Sequence, residues 1–189
     1  MKNHEYGNAQ ICLSGHIVCP DISVFPEKVS AFCPGCGSET ISECPSCHAP
    51  IRGTHYLVSP KYRLVQRGSL FSDNISSTSE IYGFDKRPDE RLKVPAYCYK
   101  CGSPYPWTSR LLETSDHITD LMEELSEVQK AQLKECFPNL LSNSVEAPYS
   151  ALLASKLISL TSSVAQGALR NLLENFLAES VILLLGWKD

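Results

Sequence analysis

Four short pairs of metal-ligating side chains constrain this chain more than any hydrophobic periodicity: Cys12 with His16, Cys33 with Cys36, Cys44 with Cys47, and Cys98 with Cys101. A Cys-x-x-Cys turn offers both sulfurs to one ion. Zn2+ has no ligand-field preference and is satisfied by four N/S donors at tetrahedral corners, so two such turns close one structural site. Four turns predict two sites. A Gly directly after a turn permits a tight backbone return, as in Cys33-Pro-Gly-Cys36-Gly37 and Cys98-Tyr-Lys-Cys101-Gly102. Cys44-Pro-Ser-Cys47 carries His48 at that place, and Cys12-Leu-Ser-Gly-His16 has its Gly inside the turn and an imidazole as second donor. Cys19 competes with His16 for that corner but needs a wider loop to chelate with Cys12, so His16 is preferred and Cys19 reads as a small buried thiol.

Two ways of joining the pairs fit the spacing. The simpler joins Cys12, His16, Cys33 and Cys36 across a hairpin, uses residues 37–43 as a connector, and closes Cys44, Cys47, Cys98 and Cys101 around the stretch between them. The other uses residues 37–43 as a tight hairpin joining the second and third pairs. Nine cysteines form an odd count, which argues against a disulfide framework, and no βαβ pattern supports a redox Cys-x-x-Cys. With no secretory apolar run and no stretch long enough to span a bilayer, the expected location is cytoplasmic.

The net charge of −4 is uneven, with residues 1–110 at +2 and residues 111–189 at −6. Two Zn2+ held by seven thiolates would remove the positive balance of the first part, so a broad basic nucleic-acid face is not expected. The basic clusters there are Lys61, Arg63 and Arg67, with Lys86, Arg87, Arg91 and Lys93, which read first as a solvated loop and second as a phosphate-contacting patch. Residues 56–93 read as an insertion, with a short strand around Tyr62 to Gln66 and an exposed loop from Ser72 to Ser79.

From Leu111 onward the pattern turns helical. Ser115 and Asp116 are candidate caps of a helix carrying Ile118, Leu121, Met122 and Leu125 on one face. Ser126 and Gln129 form a capping-box signal for a second helix ending at Pro138. Pro148 suits the first turn of a third. A last helix from Ser163 to Leu185 carries a wide apolar stripe, closed by Gly186. The expected fold is α+β: an N-terminal double zinc ribbon over residues 1–109, built of short β-hairpins, followed by an α-helical region over 110–189.

The segments Asn8-Ala-Gln-Ile-Cys12-Leu-Ser-Gly-His16, Phe32-Cys-Pro-Gly-Cys-Gly37, Cys44-Pro-Ser-Cys47 with Pro50-Ile-Arg-Gly53, and Val94-Pro-Ala-Tyr-Cys98 through Trp107 resemble an uncharacterised family of bacterial double-zinc-ribbon proteins, a domain of unknown function. The resemblance extends to Leu125-Ser126 and Pro148-Tyr149 and excludes residues 56–93. It implies a bacterial source and two zinc ribbons, and supplies no activity.

No phosphate-binding Gly loop, nucleophile elbow or His-Glu-x-x-His helix is present, so an enzyme is not expected. His48 and His55 read as bystanders beside the pairs. Tyr97, Tyr99, Tyr105 and Trp107 read first as cover for a small core and second as a stacking platform for bases. The leading expectation is a non-catalytic zinc-binding adaptor for a protein partner, with homodimerisation through residues 149–186. The alternative is a nucleic-acid-binding ribbon that uses the basic insertion and the Tyr/Trp cluster.

Overall fold

The computed structural model describes residues 3–67, 76–88, 92–142 and 144–187. Two small antiparallel sheets come first. One contains β1 (Asn3–Asn8), β5 (Arg52–Arg67) and β6 (Ser76–Pro88) in the order β1-β5-β6; the other contains β2 (Gln10–Cys12), β3 (Ile17–Cys19) and β4 (Thr40–Ile41) in the order β3-β2-β4. Five helices follow: α1 (Pro106–Asp120), α2 (Glu127–Ser142), α3 (Ala147–Ile158), α4 (Ser163–Leu173) and α5 (Glu179–Leu184). No helix among the described residues is long and apolar enough to cross a membrane.

Two buried clusters hold these elements. The smaller comprises Ala9, Ile11, Cys44, Ala49, Ile51, Val94, Cys98, Tyr105 and Trp107, so cysteine sulfur makes up part of its interior. The larger is built on Leu133, Phe137, Leu140, Ala151, Ala154, Leu169, Leu173 and Leu177 of the helices. Helix α1 joins them, because Trp107 belongs to the first cluster and Leu111 to the second. Phe176 packs against both, with its ring resting on Gly15.

Residues 56–93 are not a loop with one short strand. Most of the described part is a long hairpin in which β5 pairs with β6 from Tyr56↔Pro88 to Arg67↔Ser76. Ser76 to Ser79, expected in an exposed loop, are paired strand; residues 72–75 lie outside the described residues. The strand expected around Tyr62 to Gln66 is the outer end of β5, which begins at Arg52, and the segment Asn3–Asn8 adds the third strand through Asn3↔Val58 to Asn8↔Arg52.

Helix α1 starts at Pro106, directly after the last cysteine pair, and not at Ser115. Pro106 occupies the first turn, where its missing N–H costs nothing. Ser115 is buried mid-helix with its hydroxyl donating to the Leu111 carbonyl at 2.8 Å, and Thr119 does the same to Ser115 at 2.8 Å. Hydroxyls that bond back one turn leave no buried donor unsatisfied, which is how Ser and Thr sit inside a helix. The expected face over Ile118 to Leu125 fails because the helix ends at Asp120: Leu121 is exposed, while Met122 and Leu125 are buried in the turn beyond.

The capping box of α2 forms as expected, with the Ser126 amide donating to Gln129 Oε1 at 2.9 Å and the Gln129 amide to Ser126 Oγ at 3.4 Å. The helix then runs through Pro138 to Ser142. Pro138 is exposed and has no N–H to donate to the Lys134 carbonyl one turn back, and burial of Leu140 and Leu141 beyond it offsets the loss.

The last apolar stripe is broken: α4 stops at Leu173 and α5 resumes at Glu179. Leu169, Leu173, Leu177, Val181 and Leu185 are all buried at every fourth position across the break. Phe176, in the break between α4 and α5, packs against the cysteine-rich cluster as well. The row from Leu169 to Leu185 is internal core, whereas Val164 of the stripe and Tyr149, Leu152, Leu160 and Leu183 elsewhere in residues 149–186 are exposed.

Candidate metal centres

Three of the knuckles are one local structure repeated. In Cys33 to Ser38, Cys44 to Ala49 and Cys98 to Ser103, the amide of the first Cys donates to the carbonyl five residues on, at 2.8, 2.8 and 2.9 Å. The amide after the second Cys returns to the first Cys carbonyl, at 2.8 Å for Gly37, 2.9 Å for His48 and 2.9 Å for Gly102. That return requires a left-handed residue. Gly37, His48 and Gly102 have φ of +70°, +57° and +73°. His48 therefore occupies a glycine position, tolerable for a polar side chain at a modest backbone cost. The first knuckle differs, with Cys12 donating to the His16 carbonyl at 3.0 Å around Gly15.

The knuckles meet in two sets, Cys12/His16/Cys33/Cys36 and Cys44/Cys47/Cys98/Cys101, each with four donor atoms within 4.8 Å of one another. The second and third pairs do not share a set. The separations discriminate between bonding types: Cys12–Cys36, Cys44–Cys101 and Cys47–Cys98 lie at 3.8, 3.8 and 3.7 Å between sulfurs. A disulfide is about 2.05 Å. Four sulfurs at about 2.3 Å around a tetrahedral ion stand about 3.8 Å apart, and a nitrogen at about 2.05 Å stands about 3.5 Å from each sulfur. His16 Nδ1 lies 3.3 Å from Cys36 Sγ and 3.7 Å from Cys33 Sγ. The donor sets therefore fit a tetrahedral metal ion, with His16 presenting Nδ1.

Cys19 is not in either set; it is buried, with its thiol donating to the Phe25 carbonyl at 3.4 Å. Cys136 is likewise a buried thiol, bonded to the Gln132 carbonyl. His48 is exposed, and His55 stacks on Tyr6 with ring centroids 4.8 Å apart. Of the aromatic quartet, Tyr105 and Trp107 are buried and stacked on each other at 4.6 Å, with the indole N–H donating to the Pro95 carbonyl at 2.8 Å. They are core, not a stacking platform. Lys61, Arg63, Lys86 and Arg87 each pair with Asp85, Glu80, Glu5 or Asp85 respectively; the Arg67 side chain and Arg91 lie outside the described residues.

The surroundings hold negative sulfur. The His16 amide donates to Cys12 Sγ at 3.3 Å and the Lys100 amide to Cys98 Sγ at 3.4 Å. Ser38 draws the Cys36 thiol down to about 5 through its hydroxyl and then its amide. Ser103 lowers Cys101 in the same two ways, and the Cys101 and Lys100 amides lower Cys98 to about 6. Cys47 has no such hydroxyl. The Ala49 amide lowers it, but burial and the sulfurs of Cys101, Cys98 and Cys44 outweigh that and push it up to about 12. Burial likewise raises Cys12. Thiols crowded this closely cannot all ionise unaided, and a bound cation resolves the conflict. The serines were not singled out from the sequence, although Cys-Gly-Ser at Cys36-Gly37-Ser38 and Cys101-Gly102-Ser103 repeats there.

Beside the second set, the Arg52 guanidinium lies 4.0 Å over the Tyr99 ring and 4.5 Å over the Tyr6 ring. These three residues, with Gly7, Asn8 and Pro50, line a shallow cleft of about 260 Å3.

Residues 5–184 match the family described as "Uncharacterized protein conserved in bacteria (DUF2321)". No curated protein and no solved structure matches the chain.

Proposed function

We propose that this chain, which belongs to that uncharacterised bacterial family, is a non-catalytic zinc-binding adaptor of the cytoplasm, whose two structural zinc ribbons present a rigid surface to a protein partner. One observation carries the reading: each donor set is complete, with three sulfurs and a nitrogen in one and four sulfurs in the other, at tetrahedral separations. A catalytic zinc keeps a position for water, whereas four protein ligands leave none. Thiolate-rich tetrahedral sets select zinc over the oxygen-seeking divalent ions. Seven ligating cysteines also belong in a reducing compartment.

Bound Zn2+ supplies a fixed node at each centre, and the chain does the rest. Cys44 and Cys98 are buried among Ile11, Ile51, Tyr105 and Trp107, so closing the second set also assembles the smaller core and seats the start of α1. The surface beside it, with Arg52 between Tyr6 and Tyr99, offers a cation and two aromatic rings, a combination enriched at protein interfaces.

Protein purified without added metal is expected to contain two zinc ions per chain by elemental analysis. Cys98→Ser should release one ion and disorder the second centre, because ligand binding there is also folding. One ion or none in the wild type, or both retained in the variant, refutes the zinc reading. Loss of nucleic-acid retention at every salt concentration separates the adaptor from a nucleic-acid-binding ribbon, whose affinity must fall steeply with salt.

A further inference from the structure

Among the described residues, strand β1 pairs with β5 as far as Asn3↔Val58, while β5 and β6 stay paired from Ser59↔Asp85 out to Arg67↔Ser76. Nine residues at ~3.3 Å each make this a two-stranded ribbon extending about 30 Å beyond the sheet. An isolated two-stranded ribbon is marginal in water, because neither face is covered.

The two faces of the ribbon differ. Residues directly opposite in an antiparallel pair share a face, and so do residues two apart on a strand. Pro60↔Phe84 and Tyr62↔Ile81 therefore fall on one face with Leu64, and Tyr82 is the extra residue at the bulge between these pairs. Tyr62, Leu64, Ile81, Tyr82 and Phe84 are 60, 79, 55, 59 and 56% exposed. The same face begins at Val58, which is buried at the base of the sheet. On the opposite face Lys61 pairs with Asp85 at 3.7 Å and Arg63 with Glu80 at 3.7 Å. Beyond the Val58↔Lys86 pair at the base, where Lys86 is paired with Glu5, charge is thus paired within the ribbon on one side and absent from the described large side chains of the other.

We propose that the apolar face of this ribbon is a homodimer interface, covered by the same face of a second copy. The match is in area and in charge. At ~200 Å2 for a whole large side chain, the exposed parts of these five residues amount to roughly 600 Å2, the upper limit of apolar patches on ordinary monomers. Two copies face to face cover roughly 1,200 Å2, which reaches the lower bound of specific interfaces. A phosphate-rich surface or an acidic segment needs free cations on this face; Lys61 and Arg63 lie in ion pairs on the other, and Lys86, opposite Val58 at the base of this one, is paired with Glu5. A second copy needs only the apolar face that lies beyond it. The ribbon holds none of the eight candidate ligands, so this inference stands independently of the zinc reading.

Light scattering at tens of micromolar should give twice the chain mass of 20.9 kDa for the wild type, and 20.9 kDa for Tyr62→Lys combined with Ile81→Lys. Metal content and circular dichroism should be unchanged in that variant. A photo-crosslinking amino acid in place of Tyr82 should yield a covalent dimer, which tests the interface even if the double variant folds poorly. A monomeric wild type, a dimer that survives the double variant in folded form, or a monomer that binds neutral phosphatidylcholine vesicles through this face would each overturn the proposal.

Discussion

Gly37→Ala measures how strongly the knuckle return depends on its left-handed residue. Gly37 has φ +70°, and a Cβ added there meets nothing within 4 Å, so the alanine carries a conformational cost and no steric one. The left-handed conformation costs an L-residue about 1–2 kcal/mol. Alanine recovers about 0.4–1 kcal/mol by restricting the unfolded chain. The net is about 1 kcal/mol, or roughly a fivefold loss of metal affinity where closing the knuckle and binding the ion are one equilibrium. His48 supplies the internal control, since it holds φ +57° in the same hydrogen-bonded turn and already bears a Cβ. His48→Ala exchanges one Cβ-bearing residue for another, so most of the backbone cost is already present in the wild type. It removes only an ion pair to Glu43 at 3.9 Å between side chains 82 and 59% exposed, which is worth nothing measurable. Competition for zinc against a chromophoric chelator should show the fivefold loss for Gly37→Ala and wild-type affinity for His48→Ala. Equal losses at both positions, or none at Gly37, would refute the reasoning.

Gly53→Ala should be far more damaging, because its Cβ would stand 2.2 Å from the Pro20 carbonyl oxygen and 2.9 Å from the Ala9 amide nitrogen, both backbone atoms. Overpacking of this kind costs on the order of 3 kcal/mol, a fall of roughly 10 °C in a thermal melt for a chain this size; a melt within experimental error of the wild type contradicts the packing described. Asp116 sits partly buried on α1 and its carboxyl is raised, first by burial and further by Asp120, against the pull of Lys134 and His117. A raised carboxyl stabilises fully below its unfolded value and loses that contribution as pH rises through the folded one, so Asp116→Asn should increase the melting temperature at pH 7 and lose its advantage towards acid pH. A variant less stable than wild type at neutral pH shows that the ionised form is needed.

Much of the candidate site was legible in the sequence because each knuckle is decided within six residues. Cys-x-x-Cys, a left-handed residue and a returning amide are local, and chain order then favoured the grouping observed. What the local pattern omitted were the groups around the sulfurs, although Ser38 and Ser103 repeat at the same offset. Tyr105 and Trp107, read first as cover for a small core, take that place: both rings belong to the cluster of Ile11, Ile51 and Val94, and Pro95 supplies a carbonyl for the indole.

The helical half was misread where tertiary packing overrides a periodic signal. Leu169, Leu173, Leu177, Val181 and Leu185 keep a spacing of four whether or not the helix between them is continuous. Periodicity alone cannot detect the turn after Leu173, within which the Phe176 ring rests on Gly15, over 150 residues away in sequence. The same contact explains why the helices do not simply pack with one another: Phe176 and α1 fasten them to the metal-ligating half through Gly15, Trp107 and the Arg110 contact to the Leu13 carbonyl at 3.4 Å. Metal loss at the first centre should therefore be felt in the helices, since the loop that carries Cys12 and His16 also carries Leu13 and Gly15, the surface on which Arg110 and Phe176 rest.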